Sequence, residues 1–199
     1  KGNKKLVVTV HGSDLFPLKN QFFKSLQRNV LKSCDICTVN SEATKNELLK
    51  RFPEFKSKVL VIPMGVDTRI FSKKNVKSKF NQYKNKKIIL FVGRLNEQKG
   101  VEYLIKAMKP INQKIKNALL IIIGEGSHKE HLQEITESLN IKNIEFLGAL
   151  KHEKLADYYN LADVFVLPSV TSRIGTEGQG LVLLEAMSCG TPVIGTNTG

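Results

Sequence analysis

The chain contains no tryptophan, and aromatic residues make up only 7% of it. No row of aromatics interleaved with arginine stands out, so the base-stacking platform of a nucleic-acid binder is missing. Three cysteines are too few for a disulfide scaffold. Cys34 and Cys37 have the spacing of a redox pair or half a zinc site, but no second pair exists to complete one. Cys37 also falls in an expected strand, Ile36–Val39, where a thioredoxin-like motif would open a helix. Ordinary buried, reduced thiols in a cytoplasmic setting are the expectation. No apolar run approaches the roughly 18 residues of a membrane span, and no signal peptide opens the chain. No Asp-x-Asp pair marks a metal site. Acids are scarce: 18 against 31 lysines and arginines, a net charge of +13. Such a surface attracts anions, whether nucleotides or acidic lipids; solvated lysines account for the charge equally well.

What is present reads as a globular α/β protein, with 41% hydrophobic and 25% charged residues. Strands and helices alternate. Leu6–Val10 reads as a buried strand by its β-branched run, and it delivers His11 and Gly12 at its C-terminal end. Asn20–Lys32 has helical spacing, with Phe22, Phe23, Leu26, Val30 and Leu31 apolar. Lys24, Arg28 and Lys32 stand on another face, which suits an anionic membrane surface or solvent. Ile36–Val39 leads to Ser41, a candidate N-cap for a helix over Thr44–Arg51. Val59–Ile62 is a further strand, ended by Pro63. Residues 68–87 carry seven lysines and no acid, which predicts a solvated, flexible linker that could fringe a nucleotide cleft.

From residue 86 the alternation runs through five strands: Ile88–Val92, Ala118–Ile123, Ile144–Leu147, Asp163–Leu167 and Pro192–Thr196. It implies a parallel sheet with right-handed crossovers. The expected organisation is residues 1–66 in one Rossmann-like domain, 67–85 as linker and 86–199 in a second. In such sheets ligands bind at the carboxyl ends of the strands, where His11 falls. The loop after Ile88–Val92 holds Arg94 and Lys99, a planar fork and a mobile point charge suited to a diphosphate. Gly124 and Gly126 lack the G-x-G-x-x-G spacing and follow the domain's second strand, which disfavours a nicotinamide enzyme. His128 and His131 are expected to be surface histidines.

The most patterned stretch is Thr176–Gly195, TEGQGLVLLEAMSCGTPVIG. Glu177 precedes a glycine-spaced turn, Gly178-Gln179-Gly180, and then a helix opening at Leu181. Leu181, Leu184 and Met187 are expected to share its apolar face, with Leu183 near the edge. Gly190 stops the helix in a left-handed cap. A helix N-terminus offers free N–H groups and a partial positive charge to a diphosphate. Gly178 and Gly180 would let the backbone approach it. Glu185, two turns in, would accept hydrogen bonds from a ribose diol, and Glu177 would reach the sugar beyond the phosphates.

This stretch closely resembles the E-x7-E signature of the retaining glycosyltransferases of family 4, which have the GT-B fold of two Rossmann-like domains. TVHGSD resembles the family's strand-end histidine, and TVNSEATKNELLKRF a strand–serine–helix passage. Met64-Gly65-Val66-Asp67 resembles its N-G-V-D turn, with Met64 replacing Asn. Gly93-Arg94 followed by Lys99-Gly100 resembles its G-R-(x)4-K-G element. Gln179 stands where relatives commonly carry Phe.

The resemblance implies donor diphosphate binding by Arg94, Lys99, Gly178, Gln179, Gly180 and Leu181, with ribose on Glu185. It implies a base contact at Leu150 and roles at the transferred sugar for His11 and Glu177. Transfer would proceed from a nucleoside-diphosphate sugar to a hydroxyl of a carbohydrate or glycolipid, with retention. The missing Asp-x-Asp pair and the two cations Arg94 and Lys99, able to replace Mg²⁺, predict that no metal or other cofactor is needed. UDP is expected ahead of GDP on frequency alone. Polysaccharide or glycolipid synthesis at the inner membrane face is the implied setting. Two other readings stay open: a GT-B-type sugar-nucleotide epimerase and a non-catalytic basic nucleotide-binding module. Both ends read as cut, Lys1 lying close to a strand and Gly199 three residues past one. Two truncated domains of an internal fragment are therefore expected, binding a nucleotide weakly and transferring little or nothing.

Overall fold

The computed structural model describes residues 4–15, 21–172 and 177–198. Its chain divides into two compact units, passing between them at Met64–Gly65, Val170–Thr171, Gln179–Gly180 and Asn197–Thr198. Both are α/β with parallel sheets and flanking helices.

The first unit holds a parallel sheet of β1 (Val7–Val10), β2 (Ile36–Val39) and β3 (Val59–Val61), in that order. The short α1 (Gly12–Leu15) follows β1, and α2 (Gln21–Ser33) leads to β2. The helix α3 (Glu42–Arg51) starts at Ser41, whose Oγ accepts from the Thr44 N–H at 3.1 Å. The core of this unit is formed by Leu15, Leu31, Cys34, Cys37, Val39, Leu48, Phe52, Phe55 and Val59. The expected buried strand at residues 6–10 is corrected. Val8 and Val10 are half-buried, whereas Val7 is 56% exposed. β1 lies at the edge of the three described strands and packs by alternate residues only. On α2 only Leu31 is buried; Phe22, Phe23, Leu26 and Val30 are exposed.

The second unit is a five-stranded parallel sheet, ordered β6-β5-β4-β7-β8. Its strands are β4 (Lys87–Val92), β5 (Ala118–Ile123), β6 (Ile144–Gly148), β7 (Val164–Leu167) and β8 (Val193–Gly195). Helices α4 (Val101–Lys114), α5 (Lys129–Ser138), α6 (His152–Leu161) and α7 (Leu181–Ser188) connect them. All six residues of β5 and the last five of β4 are buried, as strands covered on both faces must be. α4 runs past Pro110. Pro110 and Lys106 are both exposed, so water can satisfy the Lys106 carbonyl that the proline leaves unpaired.

Two further expectations are corrected. The lysine-rich run is seated on the second unit. Phe71, Val76 and Tyr83 are buried, the Lys74 N–H donates to Asn160 Oδ1 at 2.6 Å, and the Tyr83 hydroxyl to Glu145 Oε2 at 2.6 Å. Lysine heads stay in solvent while the interspersed apolar side chains reach the core. Lys84, Lys86 and Lys87 border a cavity of about 330 Å³ at the N-terminal end of β4. That is the opposite end of the strand from the Arg94 loop, so these lysines fringe no strand-end loop. On α7 the side chains packed on the core are Val182, Leu183 and Ala186. Leu181 and Leu184 are half-buried, and Met187 is 57% exposed. A short, nearly all-apolar helix carries too little contrast between its faces to show which one is buried.

Candidate active site

In the second unit the strand order reverses between β4 and β7. Connections leave these two neighbours in opposite directions along the sheet, which opens a crevice at their carboxyl ends. The loop after β4 is built for close approach. Asn96 caps a single turn of 3₁₀ helix, its Oδ1 accepting from the Lys99 N–H at 3.2 Å. Gly100 then takes φ +61°, and a Cβ there would lie 2.0 Å from the Pro168 carbonyl oxygen. The Val170 N–H donates to the Gln98 carbonyl at 2.8 Å. The loop holding Arg94 and Lys99 is thereby seated on the segment leaving β7.

Gly124 and Gly126 serve the same rim. Cβ atoms on them would lie 1.9 Å from the Gly93 carbonyl oxygen and 2.2 Å from that of Leu95. The backbones after β4 and β5 therefore pack directly, and the glycines serve that packing. Arg94 is exposed, and its guanidinium has no hydrogen-bond or ion-pair partner among the described residues. Lys99 is half-buried and partnered.

Gly180 takes φ +62° and is the buried N-cap of α7, with no side-chain cap. The leading N–H groups at Leu181 and Val182 are thus left to another acceptor. Gly190, at φ +78°, closes the helix: its N–H donates to Met187 O at 2.9 Å, and the Thr191 N–H to Ala186 O at 3.0 Å. This is the Schellman pairing.

Glu185 is only 8% exposed. Its Oε2 accepts from the Tyr159 hydroxyl at 2.7 Å, and its Oε1 lies 3.1 Å from His152 Nε2. Burial, then the adjacent Glu185 charge, pushes the Tyr159 phenol far above its usual range, so it remains a donor. Leu150 is half-buried against the core, two residues before His152. The expected base and ribose contacts thus meet at the start of α6. Composition gave no sign of His152 and Tyr159 as partners. The available signal was their spacing of seven, which puts both on one face of a helix.

The other candidates belong to the first unit. His11 is exposed, directly after β1. A Cβ on Gly12 would lie 3.7 Å from Gly178 Cα, so the neighbours of His11 and of Glu177 touch. One on Gly178 would lie 3.4 Å from Asn40 Nδ2. Asn40 is buried and its Oδ1 accepts from Thr44 Oγ1 at 2.8 Å. Gln179, expected at the diphosphate, turns its amide to the backbone of Met64: Nε2 donates to the Met64 carbonyl at 2.7 Å, and Oε1 accepts from the Met64 N–H at 3.0 Å. Among the described residues no group of three or more His, Cys, Asp or Glu is placed to hold a metal ion. No helix of the described residues is long and apolar enough to cross a membrane. All three cysteines are free and buried.

Residues 72–199 match the family model of glycosyl transferases group 1, and residues 1–70 match that of Glycosyltransferase Family 4. The chain belongs to the group 1 glycosyltransferases. It is 38% identical over 176 residues to an uncharacterized glycosyltransferase of Methanocaldococcus jannaschii, a match covering 84% of this chain and 43% of the relative. It is 27% identical over 206 residues to a GDP-mannose-dependent alpha-(1-6)-phosphatidylinositol monomannoside mannosyltransferase of Mycobacterium tuberculosis, covering all of this chain and 53% of the relative. Among solved structures, a sucrose-phosphate synthase from Thermosynechococcus elongatus superimposes with a TM-score of 0.80 at 26% identity, over 100% of this chain and 52% of that one. The chain spans about half the length of the curated relatives it matches.

Proposed function

We propose that the chain carries the donor site of a retaining glycosyltransferase, one that moves a sugar from a nucleoside diphosphate to a hydroxyl of a carbohydrate or glycolipid. The observation that carries this reading is the junction at the β4/β7 switch point, where the Arg94–Lys99 loop is seated on the segment leaving β7. Arg94 and Lys99 would neutralise the departing diphosphate, which is stabilisation of charge where it develops. The free N–H groups of Leu181 and Val182 would add donors. Glu185 would take the ribose diol, and Leu150 would border the base. Glu177 and His11 would act at the transferred sugar.

Two cations on one loop supply charge that a metal otherwise brings, so metal-independent transfer is part of the proposal. The names of the mannosyltransferase relatives specify GDP-mannose, so GDP is tested beside UDP, the base we propose first. Cytoplasmic work on polysaccharide or glycolipid acceptors at an anionic membrane surface completes the reading.

The test is a calorimetric titration of the chain with UDP, GDP and ADP, repeated with Arg94→Ala and Lys99→Ala. The expected result is selective binding of one nucleotide, weakened about tenfold or more in each variant and insensitive to EDTA. Equal binding of all three, unchanged by either substitution, would mean that the +13 charge acts non-specifically and would overturn the reading. Retention is read separately, from the anomeric configuration of the transfer product.

A further inference from the structure

A carboxylate is costly to bury, and a leucine would suit the apolar neighbourhood of α7 at far lower cost. Glu185 is nonetheless held by two donors from another helix. His152 and Tyr159 lie seven residues apart on α6, and each serves a different carboxylate oxygen. Neither donor is loose. The Phe71 ring packs edge-on against both, its centroid 4.8 Å from that of His152 and 5.8 Å from that of Tyr159. Phe71 is 1% exposed and its carbonyl accepts from the Ser188 hydroxyl of α7 at 2.6 Å. Tyr159 is fully buried, stacks edge-on against Phe165, and its carbonyl accepts from the Thr191 hydroxyl at 2.5 Å. The cluster therefore ties α6, α7 and the Phe71 segment to one carboxylate.

We infer that His152 and Tyr159 are positioning residues: they fix the plane of the Glu185 carboxylate so that its remaining lone pairs meet both hydroxyls of the donor's ribose. The inference rests on the proposed role of Glu185 at the ribose. A glutamate free to rotate would lose that geometry as well as rotamer entropy on binding, whereas one clamped beforehand loses neither. Each oxygen has room for a second hydrogen bond beside the one it accepts here. His152 reaches Oε1 from a side chain that is 55% exposed, so this contact sits at the rim. Tyr159 holds Oε2 from within the core.

The experiment compares UDP and GDP with their 2′,3′-dideoxy analogues, by calorimetry, on the wild-type chain and on Glu185→Gln, Tyr159→Phe, His152→Leu and His152→Gln. The readout is the affinity ratio of ribonucleotide to dideoxynucleotide, and thermal melts confirm folding. Tyr159→Phe removes one oxygen from a packed ring, so it tests the hydrogen bond with little change of shape. Expected is a collapse of the ratio in Glu185→Gln and a three- to about tenfold fall in Tyr159→Phe and His152→Leu. Dideoxynucleotide affinity should be unchanged. His152→Gln, which keeps a donor, should recover much of the ratio. If Glu185→Gln abolishes the preference while Tyr159→Phe and His152→Leu retain it, positioning is overturned and the ribose role stands. A fall in both affinities together marks a structural role and also overturns positioning. An unchanged ratio in Glu185→Gln removes the ribose assignment, and this inference with it.

Discussion

Replacing Gly100 with alanine would test whether the cation loop is held by backbone contact alone. Gly100 sits at φ +61°, ψ 22°, in the left-handed region, where an L-residue costs about 1 kcal/mol. The added Cβ would lie 2.0 Å from the Pro168 carbonyl oxygen, where ordinary contact needs 3.4 Å or more. The two segments must therefore part by more than an ångström. That movement breaks the Val170–Gln98 hydrogen bond of 2.8 Å, worth about 1 kcal/mol, and the disturbed packing adds a similar amount. The sum is about 3 kcal/mol. With a urea m-value of about 2 kcal/mol/M, the midpoint falls by about 1.5 M.

Tyrosine fluorescence reads this change in the right place. The chain has four tyrosines and no tryptophan, and Tyr83, Tyr103, Tyr158 and Tyr159 all belong to the second unit. Nucleotide affinity should fall about tenfold or more as well, because Arg94 and Lys99 ride on the displaced loop. A midpoint within about 0.3 M of wild type would refute the reasoning: it would mean the loop yields without cost and Gly100 is not a packing constraint.

Two other outcomes are expected. The three thiols should resist dithionitrobenzoate at pH 8 in the folded chain and react fully in denaturant, since all are buried and burial pushes Cys37 up to about 11; reaction of any one at the rate of a free thiol contradicts the packing. Hydrogen bonds from the Arg69 side chain and N–H hold the Asp67 carboxyl down at about 2, below its ordinary 3.8. A group with a depressed folded pKa contributes stability that is present above pH 3.8 and lost as pH falls towards 2. Asp67→Asn should therefore trail wild type slightly in urea midpoint at pH 7 and draw level by pH 2; a gap that is constant across this window would show that the pair contributes nothing.

Much of the second unit was legible. The runs Lys87–Val92 and Ala118–Ile123 are apolar without alternation because helices cover both faces of a parallel sheet. The helix ends were legible too: Ser41 starts α3 through its side-chain cap and Gly190 ends α7 through its left-handed backbone, both rules that operate within a few residues. The lysine-rich run misled because Phe71, Val76 and Tyr83 follow neither a helical nor a strand period. Their burial answers to Asn160, Glu145 and Ser188, which lie 62 to 117 residues away in sequence. At the candidate site, Arg94, Lys99 and Glu185 could be singled out by type and spacing. The clamp on Glu185 could not, since nothing in α7 names a partner on α6.

Local chemistry therefore determined where strands, turns and charged loops fall, since caps, periodicity and residue types act over a turn or two. Tertiary structure alone decided which face of α7 is buried, how the glycines of the loops after β4 and β5 bring β4, β5 and β7 together, and what surrounds the Glu185 carboxylate. Those outcomes depend on contacts between residues far apart in the chain, and a sequence carries no distance between such residues until the sheet has set it.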